Sequence, residues 1–336
     1  MAAGRQIDLQ DGAAGIAILH AARGERDAAR ELVDRAEDAL ADIPLPLGLF
    51  TGVAGIAWCA DQVRALLGEE DAERNEPVDE VLLAHLDRPS WPFDYDLASG
   101  LVGFGLYGLA RGKRAIAERA LHHLAGFARE DGDGIGFFTG PALLPRHQRE
   151  VAPDGFYNLG VAHGGAGAVG FLAGCVAADI AGARALLEPA VSWLLARRTP
   201  AGFPLGYGVD SPTTDGWCHG APGIALVIDA AGRAAGTSGW CDAARSIALE
   251  AAARTRDAGG GGLCHGAAGL GCIYRELGRG DEQLAAAGAR LLARAAALHD
   301  APSDPGFLTG AAGSALAQVG PPAAWWRFFL AGGPLR

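Results

Sequence analysis

Two short stretches of this 336-residue chain carry residue types that bind transition metals. The first reads Gly-Trp-Cys-His-Gly around Cys218 and His219, and the second reads Leu-Cys-His-Gly around Cys264 and His265. Thiolate and imidazole are preferred ligands of zinc, and three protein ligands leave a fourth position open for chemistry. The separation of the two cysteines fits no zinc finger. The pattern therefore predicts a zinc site made from two thiols and one imidazole that the fold must bring together.

An internal repeat explains how the two stretches can meet. A glycine pair of the form Gly-x-x-Gly occurs seven times, and an apolar run follows each pair. The first glycines of successive pairs lie 40 to 64 residues apart, which is room for two helices and two loops. Each of the two cysteines lies just before one of these pairs. The pairs are Gly12/Gly15, Gly52/Gly55, Gly100/Gly103, Gly164/Gly167, Gly220/Gly223, Gly266/Gly269 and Gly310/Gly313.

The segments within each repeat predict an all-α protein. Runs such as IAILHAA and AVGFLAGCV are too apolar for an exposed surface and indicate buried inner helices. Charged amphipathic stretches at residues 25–42, 113–130 and 281–299 indicate outer helices, and PPAAWWRFFLA near the C-terminus indicates the one that closes the ring. We expect an α/α toroid of seven inner and about seven outer helices, formed as a single domain over residues 1–336. The inner helix ends then crowd together at one face.

Two regions interrupt the repeat. Residues 131–158 and 199–215 are long, rich in glycine and proline, and directly precede the fourth and fifth repeats. Loops of this length in a compact domain are usually functional, so we expect them to wall the face that carries the cysteines. The remaining cysteines lie in or near predicted helices and are expected in the core. They are Cys59, Cys175, Cys241 and Cys272.

The composition limits which partners the protein can bind and indicates the cellular compartment in which it works. The net charge of -11 argues against binding to nucleic acid or to an anionic membrane surface. No apolar run reaches the length of a membrane span, and the first residues lack the pattern of a signal peptide. A cytoplasmic protein with reduced or metal-bound thiols is therefore expected.

The glycine repeats and three motifs resemble the lanthionine synthetase C-like (LanC-like) family, which contains the cyclases of lantibiotic biosynthesis and their eukaryotic relatives. The motifs are YNLGVAHG at residues 157–164, WCHGAPG at residues 217–223 and CHG at residues 264–266, and the resemblance covers essentially the whole chain. It implies a zinc-dependent lanthionine synthetase that adds cysteine thiols of a dehydrated precursor peptide to dehydroalanine or dehydrobutyrine. The products are (methyl)lanthionine thioether rings.

The resemblance also assigns residues. Cys218, Cys264 and His265 match the zinc ligands of the family, so Zn²⁺ is the implied cofactor. His163 matches its active-site histidine, and Asp96 matches its active-site aspartate. Attack of a thiolate on the alkene requires that the α-carbon then be protonated, and imidazole titrates near the working pH. His163 is therefore the natural acid, while Asp96 either orients it or accepts the thiol proton.

Two departures from the family pattern keep other functions open. Bacterial cyclases commonly carry arginine where this chain has Thr214, and they often have tyrosine where it has His219. The alternatives are addition of a small thiol such as glutathione to dehydroamino acids, and a non-catalytic scaffold that binds peptide within a biosynthetic complex. Dehydratase, kinase or lyase enzymes are possible partners in such a complex. A carbohydrate-active toroid would need paired carboxylates, and only Asp96 is clearly placed for that.

Overall fold

The computed structural model describes residues 6–255, 258–298 and 304–320. Within this part of the chain a helix begins directly after the first glycine of each of the seven pairs. These inner helices are α1 (Ala13–Ala22), α3 (Val53–Leu67), α5 (Leu101–Ala110), α8 (Gly165–Ala177), α10 (Ala221–Ala235), α12 (Ala267–Leu277) and α14 (Ala311–Val319). The outer helices are α2 (Arg26–Asp38), α4 (Glu76–Leu86), α6 (Arg114–Leu124), α9 (Ala183–Ala196), α11 (Ser238–Arg254) and α13 (Glu282–Leu298).

The inner helices close into a ring. Each one contacts the inner helix of the next repeat, and α14 contacts α1. Helices such as α5 and α8 are buried around almost their whole circumference, whereas α2 and α13 bury one face and expose charged residues on the other. This arrangement confirms the expected α/α toroid. The stretch PPAAWWRFFLA, predicted as a closing outer helix, lies outside the described residues.

The second glycine of every pair allows one close backbone contact. A Cβ added to Gly55 would lie 1.7 Å from the carbonyl oxygen of Leu49, and one added to Gly223 would lie 2.0 Å from that of Trp217. No side chain fits at such a distance, so the helix can pack directly on the loop that precedes it. The same contact, with the carbonyl six residues earlier, occurs at Gly15, Gly103, Gly167, Gly269 and Gly313.

Backbone hydrogen bonds join the loops before the glycine pairs into a closed circuit. The amides of Leu97 and Ala98 both donate to the carbonyl of Ala162, and those of Trp217 and Cys218 both donate to the carbonyl of Cys264. Every member of the circuit lies two residues before the first glycine of its pair. In order of donation the members are Gln10, Phe50, Ala98, Ala162, Cys218, Cys264 and Leu308, whose amide donates back to Gln10.

Three expectations need correction. The predicted outer helix over residues 113–130 ends at Leu124 and is followed by a 3₁₀ turn and strand β1 (Ala128–Asp131), because Asp-Gly-Asp-Gly forms a turn that pairs β1 with β2 (Gly134–Phe137). The two regions predicted as long loops contain helix α7 (Arg146–Val151) and the strands β3 (Tyr157–Asn158) and β4 (Gly206–Tyr207), which pair with each other.

The third correction concerns the cysteines. Cys59, Cys175 and Cys272 are buried as expected, but Cys241 is only half-buried because the outer helix α11 places it near the surface. Among the described helices, none combines the length and the apolar character that crossing a bilayer requires.

Candidate metal centre

Cys218, Cys264 and His265 lie together at the face where the inner helices begin. Their ligand atoms, two Sγ and one ring nitrogen, are all within 4.8 Å of one another. The hydrogen bonds from Trp217 and Cys218 to the carbonyl of Cys264 fix the two cysteine backbones side by side. Among the described residues, this is the one group of three or more metal-binding side chains in such proximity. Two sulfurs and an imidazole suit Zn²⁺, so the residues fit the metal that the sequence predicted.

The two thiols perturb each other strongly. A hydrogen bond from Cys264 lowers the pKa of the Cys218 thiol to about 4, against the opposing effect of burial, and a second hydrogen bond from His219 adds to this. The Cys218 sulfur in turn raises the pKa of Cys264. The arrangement therefore favours the thiolate at Cys218, which is the form that binds a cation.

His163 and Asp96 form a hydrogen-bonded pair beside the sulfurs. The Nδ1 atom of His163 lies 2.5 Å from Oδ2 of Asp96. The other oxygen, Oδ1, accepts hydrogen bonds from the amide and the hydroxyl of Ser99 at 2.7 and 3.0 Å. The Asp96 side chain is 3% exposed, whereas that of His163 is 52% exposed. Asp96 is thus a fixed acceptor for Nδ1–H, and Nε2 of His163 is left for other contacts.

The electrostatic environment favours the protonated imidazole. Burial by itself would lower the pKa of His163, but the hydrogen bond and the charge of Asp96 outweigh it. The charges of Asp94 and of Cys218 act in the same direction, and the net effect raises the pKa of His163 above its ordinary value of 6.5. The side chain can therefore hold a proton at a pH where a free histidine would lose it.

His219 lies between the two groups. Its ring centroid is 6.1 Å from that of His163, and its side chain hydrogen-bonds Cys218. It does not belong to the group of candidate ligands. Thr214, the other departure from the family pattern, contributes its backbone to this loop: a Cβ on Gly220 would lie 1.9 Å from the Thr214 carbonyl oxygen.

A cavity of about 300 Å³ opens beside His163. One wall comes from the loops of the ring and the other from the region 131–158, which therefore walls the site as expected. The region 199–215 does not line this cavity but supports its rim through the β3–β4 pairing. The lining residues are Asp94, Asp96, His163 and His219 on the first wall and Thr139, Leu143, Leu144, Pro145, Gln148, Phe156 and Asn158 on the second.

Asp94 is a cavity residue that the sequence did not indicate. Burial, together with the charge of nearby Asp96, raises the pKa of its carboxyl group to about 6. Its position two residues before Asp96, in the same loop, was an available signal. Asp94 therefore adds a second carboxylate to the cavity, beside the Asp96–His163 pair.

Comparisons with known proteins bear on the family and the fold. The family model described as lanthionine synthetase C-like protein matches residues 5–319. The fold is similar to a solved structure titled nisin cyclase, with a TM-score of 0.75 and 20% sequence identity over 97% of this chain and 92% of that chain. A comparison with curated protein sequences found no match. Because the family model covers nearly the whole sequence, the chain belongs to the LanC-like family.

Proposed function

We propose that this protein is a zinc-dependent cyclase that closes thioether rings in a dehydrated precursor peptide. The peptide's cysteine thiols add to its dehydroalanine or dehydrobutyrine residues and give lanthionine or methyllanthionine. The observation that carries the proposal is the meeting of the Cys218, Cys264 and His265 ligand atoms within 4.8 Å, beside a histidine held by a buried carboxylate. We assign these three residues as the ligands of Zn²⁺.

The reaction sets the tasks of the site. The substrate thiol must lose its proton, its sulfur must bond to the β-carbon as the alkene π bond breaks, and the α-carbon must gain a proton. When bound, zinc supplies Lewis acidity that turns the substrate thiol into a thiolate at neutral pH. The remaining tasks, positioning the alkene and moving protons, belong to side chains of this chain.

His163 is the proposed donor of the proton to the α-carbon. It lines the cavity, its pKa is raised, and the hydrogen bond to Asp96 orients its ring with Nε2 free. Asp96 acts through His163, because its two oxygens are occupied by that ring and by Ser99. This division makes Asp96 the orienting member and His163 the acid.

The proposal carries expectations about partners and location. The dehydroamino acids must be made beforehand, so a dehydrating enzyme, with or without kinase or lyase activity, must act on the same peptide. Thiols that stay reduced are typical of the cytoplasm, where we place the reaction. A single domain over the whole chain remains part of this proposal.

A dehydrated peptide with one cysteine and one dehydroalanine tests the function. Ring closure leaves the mass unchanged and makes the thiol resistant to alkylation, whereas addition of supplied glutathione raises the mass by one glutathione. We expect ring closure. Peptide binding without either product would favour the scaffold alternative, and a mass increase alone would favour small-thiol addition.

Metal analysis of single-cysteine variants tests the ligand assignment. We expect one zinc per chain in the wild type and loss of zinc and of ring closure in Cys218→Ala and Cys264→Ala. Cys241→Ala is the matched control, because its sulfur is half-buried on the outer helix α11 and away from the candidate centre. Full zinc content in both ligand variants would contradict the assignment.

A further inference from the structure

The second wall of the cavity comes mainly from a loop whose two ends are joined by backbone hydrogen bonds. The amide of Thr139 donates to the carbonyl of Phe156 at 3.0 Å, and the amide of Phe156 donates back to Thr139 at 3.1 Å. At this neck Gly155 has a φ of +88°, and a Cβ on it would lie 2.5 Å from the Thr139 carbonyl oxygen. Residues 140–155, which we name the wall loop, are thus tied at both ends and form a compact unit on the rim.

The wall loop has two different faces. Its residues Leu143, Leu144 and Gln148 line the cavity and carry no charge. Its exposed residues include charges of both signs, at Arg146, Arg149, Glu150 and Asp154, and also Val151, which is 74% exposed. The cavity is therefore lined by uncharged, largely apolar residues of the wall loop together with the carboxylates of the ring loops.

The size of the cavity limits what can reach this surface. A volume of about 300 Å³ is at the low end for ligand sites, so it holds a reacting residue and a neighbour rather than a folded segment. If the α-carbon of the dehydroamino acid lies against His163, the adjacent residue of the peptide lies against the wall loop. An acidic side chain there would lose its hydration against Leu143 and would lie in the same cavity as the charge of Asp94, since the charge of Asp96 is paired with His163.

We propose that the wall loop selects the residue that flanks the dehydroamino acid in the substrate, favouring an apolar side chain and rejecting an acidic one. The inference rests on the proposed function and adds the sequence preference of the same site. Leu143 is the best position to test it, because it is half-buried and more accessible from the cavity than Leu144, which also lines the cavity but is buried.

Two peptides that differ only in having leucine or glutamate beside the dehydroalanine measure the preference. We expect the wild type to favour the leucine peptide by roughly tenfold or more in kcat/KM, which is the scale of discrimination by one apolar side chain in a pocket. Leu143→Lys should bring the ratio to about one or invert it. Val151→Lys, which adds the same charge on the outward side of the loop, should leave the ratio unchanged.

A loop replacement and a binding measurement keep the test decisive. Exchanging residues 141–153 for two glycines preserves the neck and should remove the preference while zinc remains bound. Equilibrium binding of the two peptides should show the same ratios without turnover, so the selection is measured even if no ring forms. Equal affinities and rates for both peptides in the wild type, or an undiminished preference in Leu143→Lys, would overturn the inference. Absence of ring closure with an intact binding preference would overturn the proposed function instead.

Discussion

At the scale of single residues, the decisive contact is the hydrogen bond from His163 to Asp96. The carboxylate is buried and held by Ser99, so it fixes one ring nitrogen and keeps the imidazole protonated to a higher pH. A histidine that acts as an acid needs both effects, since the ring must be oriented and must hold a proton to give. The pair therefore links the geometry of the cavity to the pH range in which the site can work.

Two substitutions separate these effects. His163→Ala removes the acid, and we expect ring closure to fall by roughly 10²–10⁴-fold. In Asp96→Asn the pKa of His163 should fall, because the charge that raises it is gone. With His163 as the proposed acid, the rate of the wild type should decline as the pH rises through the raised pKa, and this decline should start at lower pH in the variant.

Rate profiles between pH 5 and 9 measure the shift, and metal analysis should find zinc unchanged in both variants. An unaltered high-pH limb in Asp96→Asn would show that His163 is not the group that limits the rate there. Normal ring closure by His163→Ala would remove it as the acid.

The sequence could predict that Cys218, Cys264 and His265 lie together, but not the whole cavity. Cys218 and Cys264 occupy the same position in consecutive repeats, so the period of the glycine pairs was enough to bring them together. Asp94 follows the repeat as well, since it lies six residues before Gly100 as Asn158 does before Gly164, but Leu143 and Gln148 obey no such period. These two lie in the wall loop, whose path depends on contacts between distant segments, and the sequence carries no local signal for those contacts.

At the scale of helices and loops, the glycine pairs hold the site in register. Gly223 lets α10 approach the carbonyl oxygen of Trp217 to a distance that no side chain tolerates. Because Trp217 directly precedes Cys218, this contact also sets the position of a candidate zinc ligand. The glycine therefore contributes to stability and to metal binding at once.

Gly223→Ala should destabilise the fold by about 1–3 kcal/mol, as overpacking in a core typically does, and should weaken zinc binding. Gly239→Ala is the matched control: Gly239 lies in helix α11 with open space around it, so alanine there should be neutral or stabilising by up to about 1 kcal/mol. Urea unfolding and competition with a zinc chelator measure both effects. Equal stability and zinc affinity in the two variants would contradict this role.

Helices were easier to predict than strands for a physical reason. The apolar runs after the glycine pairs and the amphipathic outer stretches are local patterns, and they located α2 and α13 to within a few residues. The strands β3 and β4 have two residues each and exist because two distant regions pair. Such pairings depend on the folded ring, so the pattern of residues 199–215 contained no local signal for a strand.

At the scale of the whole molecule, the closed circuit of backbone hydrogen bonds uses the equivalent residue of each of the seven repeats. Each joint brings one loop against the next through the same pair of backbone positions, from Gln10 through Leu308 and back. Side chains at these positions vary freely between repeats, because the bonds use only the main chain. The toroid is therefore a fixed frame, and the chemistry depends on which residues occupy two positions per repeat.

This frame makes the metal centre transplantable. Ala98, Ala162 and His163 occupy the positions in the third and fourth repeats that Cys218, Cys264 and His265 occupy in the fifth and sixth, and the same two-amide joint connects them. The double variant Ala98→Cys/Ala162→Cys should therefore bind two zinc ions per chain, and it should lose ring closure as His163 becomes a ligand. Elemental analysis gives the stoichiometry, with Ala98→Ser/Ala162→Ser as the control that stays at one. In an evolving or engineered toroid, a metal-binding site can thus be moved from one pair of repeats to another without any change in the helices.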